Sequence, residues 1–255
     1  MMMERIFITG ASSGLGEAFA RHYAAPGRAL LLWGRNEQRL EMVGEICRRA
    51  GAEVEIRSLD LTDVEAAVAA VDAADERAPI GLALLVAGLG DVRQAGTTVE
   101  SPEQIRRLGL VNFVAPCAIA SALAARMARR SRGGIVFIGS AAAFHALPFA
   151  AAYAGSKAGL ARFADALRIG VARHGVSVTL VSPGFIDTAA GRAVAGPKPL
   201  LMAPADAAAR IARAAAAGKP HVVLPWPFAW LRCLDRLLPR PVRDRLLVAL
   251  TPSPG

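Results

Sequence analysis

Two side chains capable of proton chemistry, Tyr153 and Lys157, stand four residues apart in a stretch of helical pattern, so both project from one helix face. The chain has only two tyrosines and three lysines, which makes their meeting in one Tyr-x-x-x-Lys unusual. An ammonium beside a phenol favours the phenolate and draws the tyrosine pKa down from about 10 toward working pH, as a general acid requires. The bland alternative is a tyrosine that only hydrogen-bonds at a helix edge. A second signal lies near the start, where Thr9-Gly10-Ala11-Ser12-Ser13-Gly14-Leu15-Gly16 follows an apolar run and opens a helical pattern through Ala24. Glycines at such a turn let the backbone approach a pyrophosphate, and the N–H groups of the helix start face its charge. A tight connection would explain the glycines too, but a strand before and a helix after favour the nucleotide reading.

The next apolar run ends at Trp33-Gly34-Arg35-Asn36. A carboxylate here would hold ribose hydroxyls, whereas a guanidinium suits a 2′-phosphate. Arg35 stands there and no acid does, which favours NADP(H) over NAD(H); the competing reading is a solvated arginine at a loop edge.

These residues need a scaffold that gathers them, and the apolar pattern supplies one. The runs Arg5–Thr9, Ala29–Trp33, Glu53–Ser58, Leu82–Val86, Ile135–Gly139, Val176–Val181 and His221–Leu224 predict seven strands, with helices between them. Thr62 with Glu65 and Ser101 with Gln104 form capping boxes, and Pro102 takes a first helical position. Strands apolar on both faces, alternating with helices, predict an α/β fold: one doubly wound, Rossmann-type domain over residues 1–224, its parallel sheet covered by helices on both faces. Residues 225–255 form a C-terminal amphipathic extension that is not an independent domain.

At 54% hydrophobic and 20% charged residues, the chain is too apolar for disorder, and its scattered glycines exclude a collagen-like repeat. Mean hydropathy is +0.37, yet no run of about 18 uninterrupted apolar residues suggests a membrane span. The first residues leave no room for a signal sequence, so the mature chain is expected to start here, in the cytoplasm. Cys47, Cys117 and Cys233 are far apart, and four dispersed histidines make no ligand spacing, so neither a disulfide framework nor a metal site is expected. The formal charge of +9 would suit nucleic acid, but the densest arginines, Arg126, Arg129, Arg130 and Arg132, precede Gly133-Gly134 at a helix end, where the backbone dipole favours cations. No aromatic side chains alternate with them, so no nucleic-acid partner is expected.

From Thr9 to about Leu224 the chain resembles the short-chain dehydrogenase/reductase family. The glycine turn matches at Gly10, Gly14 and Gly16, the active-site asparagine at Asn112, the serine thirteen residues before the tyrosine at Ser140, and the pair itself at Tyr153 and Lys157. Asp60, followed by Leu61, matches the adenine-contacting acid, and Pro183-Gly184 matches the turn that leads to Ile186 and Thr188 on the nicotinamide side. The family's Asn-Asn-Ala-Gly is replaced by Leu85-Val86-Ala87-Gly88, which removes a side chain that ties this strand to its neighbour. Ser13 stands where NADP-preferring members often carry a basic residue, leaving the 2′-phosphate mainly to Arg35.

The resemblance implies hydride transfer between nicotinamide and a carbonyl or alcohol carbon. It implies cofactor contacts from Gly10, Ser12, Ser13, Gly14, Leu15, Gly16, Arg35, Asp60, Leu61, Ala87, Gly88, Pro183, Gly184, Ile186 and Thr188, together with Tyr153 and Lys157. Tyr153 would give the proton, Ser140 would orient the carbonyl oxygen, Lys157 would lower the tyrosine pKa and hold the ribose, and Asn112 would fix a relay water. A substrate pocket of Phe144, His145, Phe149, Phe185 and the segment from Ala189 to Met202 is mostly apolar, so a hydrophobic carbonyl compound is expected, with His145 an ordinary rim residue or a substrate reader. A homo-oligomer, dimer or tetramer, is the expected assembly. The rival reading is a regulatory or scaffold protein that binds NADP(H) without turnover.

The tail reads as two short amphipathic helices. Arg232, Asp235 and Arg236 oppose Trp230, Leu231, Leu234, Leu237 and Leu238 in the first; Arg243 and Asp244 oppose Leu246, Leu247 and Leu250 in the second. Such a pair suits either a peripheral membrane contact or packing over the substrate cleft or another subunit.

Overall fold

The computed structural model describes residues 4–90, 92–94, 96–193, 196–230 and 237–249. Seven strands, β1 (Glu4–Thr9), β2 (Arg28–Gly34), β3 (Glu53–Ser58), β4 (Leu82–Leu85), β5 (Gly133–Ile138), β6 (Val176–Pro183) and β7 (His221–Leu224), form one sheet. Its order is β3-β2-β1-β4-β5-β6-β7 with every pair parallel, so the direction of winding reverses between β1 and β4. A crevice at the carboxyl ends of the strands beside that switch is where this topology binds ligands.

Because Ile6, Phe7 and Ile8 are buried in succession, β1 needs cover on both faces. One layer comes from α1 (Gly14–Tyr23), α2 (Glu37–Arg49) and α8 (Pro204–Ala216), whose Phe19, Leu40 and Ile211 join Ile6 and Ile8 in one core. The other layer comes from α3 (Val64–Arg77), α5 (Ala115–Arg129) and α6 (Ala151–Val171), whose Val71, Leu123 and Leu160 join Phe7. α4 (Pro102–Gly109) runs through a π-turn, Leu110–Val114, directly into α5. This continuous stretch, Pro102–Arg129, is apolar and long enough by composition to cross a membrane, with a mean hydropathy of 1.9 over its richest window. Its Ile119, Leu123 and Met127 are instead buried in the core beside the sheet. A short α7 (Ala189–Ala193) and a last helix, here α9 (Arg240–Ala249), complete the described elements.

All seven strands lie where the apolar runs place them, and the ends differ for identifiable reasons. β6 continues to Pro183 because β7 pairs with it there, Pro183 opposite Leu224. β4 stops at Leu85 because the Thr9 hydroxyl accepts the next two amides, Val86 N–H at 3.0 Å and Ala87 N–H at 3.1 Å. Thr9 thereby supplies the tie that the missing asparagine suggested was lost.

The capping of α3 is a correction. Asp63 is the N-cap, its Oδ1 accepting Ala66 N–H at 2.9 Å, and not Thr62. Ser101 does cap α4 by accepting Gln104 N–H at 3.1 Å, but the Gln104 side chain reaches Val92 O at 2.8 Å instead of closing the box.

Two of the clustered arginines fasten α5 to α3. Arg126 pairs with Asp72 at 2.6 Å and Glu76 at 2.7 Å, and Arg130 with buried Asp75 at 2.7 Å. Burial alone would raise the Asp75 pKa, but the Arg130 guanidinium and the Ile80 N–H hold it below the usual carboxylate value. Its stabilisation is therefore present above the ordinary carboxylate pKa and lost as pH falls through the lowered one. Arg130→Ala, which strands a buried carboxylate, is expected to cost about 3 kcal/mol at neutral pH in urea unfolding, with the difference shrinking under acid. Equal losses at both pH values would show that packing, not charge, is what Arg130 contributes.

Candidate active site

The carboxyl ends of the strands open onto a cleft of about 1670 Å³. β1 leads into the glycine turn at its floor. Gly10 and Gly14 have φ of +69° and +58°, a region that side chains disfavour. A Cβ on Gly16 would lie 2.1 Å from Gly10 O, and one on Gly10 would lie 2.9 Å from Ala87 Cα, so the turn folds this tightly only with glycine. The start of α1 is thus bare backbone facing the cleft, the surface a pyrophosphate needs, and the residues present fit a dinucleotide. Ser12, Ser13, Leu15, Leu61, Gly88, Pro183, Gly184, Ile186 and Thr188 line the same cleft.

Arg35, just after β2, and Asp60, just after β3, both reach the cleft. Asp60 already has a local partner: its Oδ1 accepts Thr62 N–H at 2.9 Å. That bond first, and the nearby Arg35 charge with it, hold the carboxyl below its usual range. The structure adds Arg39 and Asn36 to this end. Asn36 caps α2 by accepting Arg39 N–H at 2.9 Å, which places Arg39 one turn from Arg35. The four-residue spacing of the two arginines is the signal that could have found it.

Ser140 follows β5, and its Oγ accepts Ala142 N–H at 3.1 Å, starting a 3-10 turn over Ala141–Phe144. Tyr153 in the first turn of α6 hydrogen-bonds Ser140. Lys157, one turn on and 4% exposed, donates from Nζ to Ile138 O at 2.9 Å. Burial pulls the Lys157 pKa down to about 8. Burial also pushes the Tyr153 pKa above its ordinary value, with the Ser140 hydrogen bond opposing. This reverses the direction expected from Lys157, because loss of water around the phenol outweighs its neighbours.

Asn112 is brought close but does not line the cleft. It lies within the π-turn, fully buried, accepting Leu89 N–H at 2.7 Å and donating to Leu89 O at 2.9 Å. A π-turn inside a helix is frequent at functional sites, and here it turns one amide onto the loop after β4. A Cβ on Gly88 would lie 3.2 Å from Asn112 Oδ1 and 3.3 Å from Lys157 Nζ, so glycine lets this loop seat over both.

His145, Phe149 and Phe185 line the cleft beyond Tyr153. Phe144 does not; it lines a separate cavity of about 640 Å³ and meets the His221 ring edge-on at 6.4 Å, because the 3-10 turn directs it away. Phe228, Leu238, Leu246 and Leu247 close the same end of the cleft. Phe228 packs edge-on to Phe185 at 6.3 Å. Residues 231–236, which hold most of the expected first tail helix and Cys233, lie outside the described residues, as does Leu250; Cys47 and Cys117 are buried.

A glycine cradle at the switch point, with serine, tyrosine and lysine converging beside it, defines a dinucleotide-dependent oxidoreductase site. Residues 4–197 match the family model described as short chain dehydrogenase. The chain is 33% identical over 247 residues to an uncharacterized oxidoreductase of Myxococcus xanthus, covering 96% of each. It is 34% identical over 194 residues to the dehydrogenase/reductase SDR family member 7B of Bos taurus, covering 72% of this chain and 58% of that one. Among solved structures, a short-chain dehydrogenase from Sphingobium yanoikuyae in complex with NADPH superposes with a TM-score of 0.81 at 27% identity, covering 99% of this chain and 98% of that one. The chain belongs to the short-chain dehydrogenase/reductase family and is an NAD(P)-dependent oxidoreductase.

Proposed function

We propose that this chain is an NADP(H)-dependent reductase and dehydrogenase that interconverts an apolar ketone or aldehyde with its alcohol, using Tyr153 as general acid and base. The observation that carries the reading is the convergence of the Ser140 and Tyr153 hydroxyls and the Lys157 ammonium between the glycine cradle and an apolar cleft end. Bound nicotinamide supplies the hydride. In the reductive direction the Tyr153 hydroxyl donates a proton to the carbonyl oxygen, and the Ser140 hydroxyl orients that oxygen by hydrogen bonding. Lys157, held at Ile138 O, places a cation beside the phenol and stabilises the phenolate left behind. Asn112 acts one step removed, fixing the Leu89 backbone and with it the loop over Lys157.

The substrate end favours an apolar compound because Phe149, Phe185, Phe228, Leu246 and Leu247 surround it, with His145 and Arg243 as polar members of the lining. We read the described part of the tail, through Phe228, Leu238, Leu246 and Leu247, as a wall of this pocket rather than a separate domain. Deleting 226–255 is expected to broaden or abolish substrate use while leaving the NADPH Kd within a few-fold, since the cofactor residues precede it. Trp226 and Trp230 are 71% and 66% exposed beside that wall, so vesicle co-sedimentation of full-length and truncated protein at low and high salt also reports any lipid contact. A large loss of NADPH affinity on truncation in folded protein would contradict this division of labour.

For the cofactor, NADPH is expected to bind at least ~10-fold more tightly than NADH, because a guanidinium makes charge-assisted hydrogen bonds to the 2′-phosphate. Arg35→Asp inverts the order in calorimetric titration. Equal affinities in the wild type, or an unchanged preference in the variant, would remove Arg35 from the site.

A further inference from the structure

α6 begins without a local cap. Its N-cap position is Ala150, with no side-chain hydrogen bond, and its first turn carries no acid. The first amides of a helix have no intrahelical partners and must find acceptors elsewhere when buried. Here the acceptor comes from 52 residues upstream: Glu100 Oε2 accepts Ala152 N–H at 2.9 Å. Glu100 is 8% exposed, and its Oε1 is buried with no hydrogen-bond partner among the described residues. Burying a carboxylate in this way is costly, and a helix N-terminus is the place where backbone N–H groups and the dipole offset part of the cost.

Neighbouring bonds show what the contact holds. Arg93 N–H, in the loop that precedes Glu100, donates to Phe149 O at 2.9 Å, just before α6. At the far end of α4, Asn112 Nδ2 reaches Ser156 Oγ at 3.4 Å, and that hydroxyl donates to Tyr153 O at 2.8 Å. The segment from Arg93 to Asn112 therefore grips the start of α6 at Phe149, Ala152 and Ser156, and Tyr153 lies inside that interval.

We propose that Glu100 is a positioning residue for the reaction: its carboxylate caps α6 from the loop after β4, fixes the first turn of that helix, and so holds Tyr153 in place. The proposal rests on Tyr153 being the proton donor, but its test needs no turnover. Tyr23→Phe leaves Tyr153 as the only tyrosine, so ultraviolet titration of the phenol reads its surroundings directly. In that parent, burial raises the Tyr153 pKa while the Ser140 hydrogen bond opposes. Adding Glu100→Ala is expected to move the titration down toward the ordinary phenol value as the loosened turn admits water. The Ala152 and Tyr153 amides should then exchange ~10-fold faster. Glu100→Gln, which keeps an acceptor oxygen for Ala152, is expected to match the parent in both measurements.

The proposal is overturned by a Glu100→Ala protein unchanged in both readouts. It is equally overturned by Glu100→Gln moving as far as Glu100→Ala, since the lost charge rather than the cap would then be the cause. If Glu100→Ala does not fold, amide exchange in the parent and in Glu100→Gln decides: protection at Ala152 in both supports the cap, and an unprotected Ala152 amide refutes it. Failure of Tyr153 as the proton donor is read separately, from turnover of Tyr153→Phe.

Discussion

Tyr153→Phe is expected to lower carbonyl reduction by roughly 10²–10⁴-fold, the usual contribution of a positioned general acid, while the NADPH Kd stays within a few-fold. The lost hydroxyl hydrogen-bonds Ser140 and faces the cleft, so its removal takes away the proton without disturbing the glycine cradle. Lys157→Ala should damage both turnover and cofactor binding, because its Nζ sits beneath the Gly88 loop that lines the cofactor cleft. The pH dependence follows from the same groups. Below about 8 the Lys157 side chain is charged, and burial keeps Tyr153 protonated. Reduction is therefore expected to fall as pH rises through about 8, where Lys157 loses its charge, whereas alcohol oxidation, which needs the phenolate, is expected to rise only above the ordinary phenol pKa because burial raises that of Tyr153. Near-normal reduction by Tyr153→Phe would make another group the acid.

The second large effect is expected at the glycine turn. In Gly16→Ala the new Cβ would lie 2.1 Å from Gly10 O and 2.6 Å from its carbon, and backbone atoms cannot swing aside as a side chain can. The turn must open, costing about 1–3 kcal/mol of stability as overpacked sites do, and NADPH binding should weaken by ~100-fold or more as the pyrophosphate amides lose their alignment. Gly170→Ala is the control: it lies near the exposed end of α6, and an added Cβ there meets nothing within 4 Å. That variant should be neutral or more stable by about 0.5–1 kcal/mol, since alanine is the better helix former. Calorimetric NADPH titration with thermal unfolding separates the two variants. Wild-type affinity in Gly16→Ala would mean the turn does not bind the dinucleotide.

Much of the fold is legible because a parallel sheet covered on both faces writes each strand as a short apolar run, as in Ile6-Phe7-Ile8 and Leu30-Leu31-Leu32. The glycine turn is legible for a different reason: its close contacts admit no side chain. What the sequence conceals are choices made by backbone geometry or by distant partners. Thr62 and Asp63 are adjacent and chemically suited alike to capping α3, and only the course of the chain gives the role to Asp63. Thr9 reads as a strand-end residue until β4 lies beside it. Phe144 shares its apolar character with Phe149, yet the 3-10 turn after Ser140 sends them to different cavities. The cap of α6 is hidden most completely, since Glu100 and Ala152 are brought together only by α4 and the loop before it. The direction of the Tyr153 shift is hidden too, because spacing shows the lysine and not the burial.

The most direct test of the central claim follows the hydride itself. Purified protein is incubated with NADPH deuterated at the transferred position and a panel of bulky apolar ketones and aldehydes, and the products are analysed by mass spectrometry. The expected result is an alcohol carrying one deuterium on the former carbonyl carbon, formed by the wild type and not by Tyr153→Phe. Tight NADPH binding with no deuterated alcohol from any member of the panel would contradict it, and would favour a nucleotide-binding scaffold that performs no turnover.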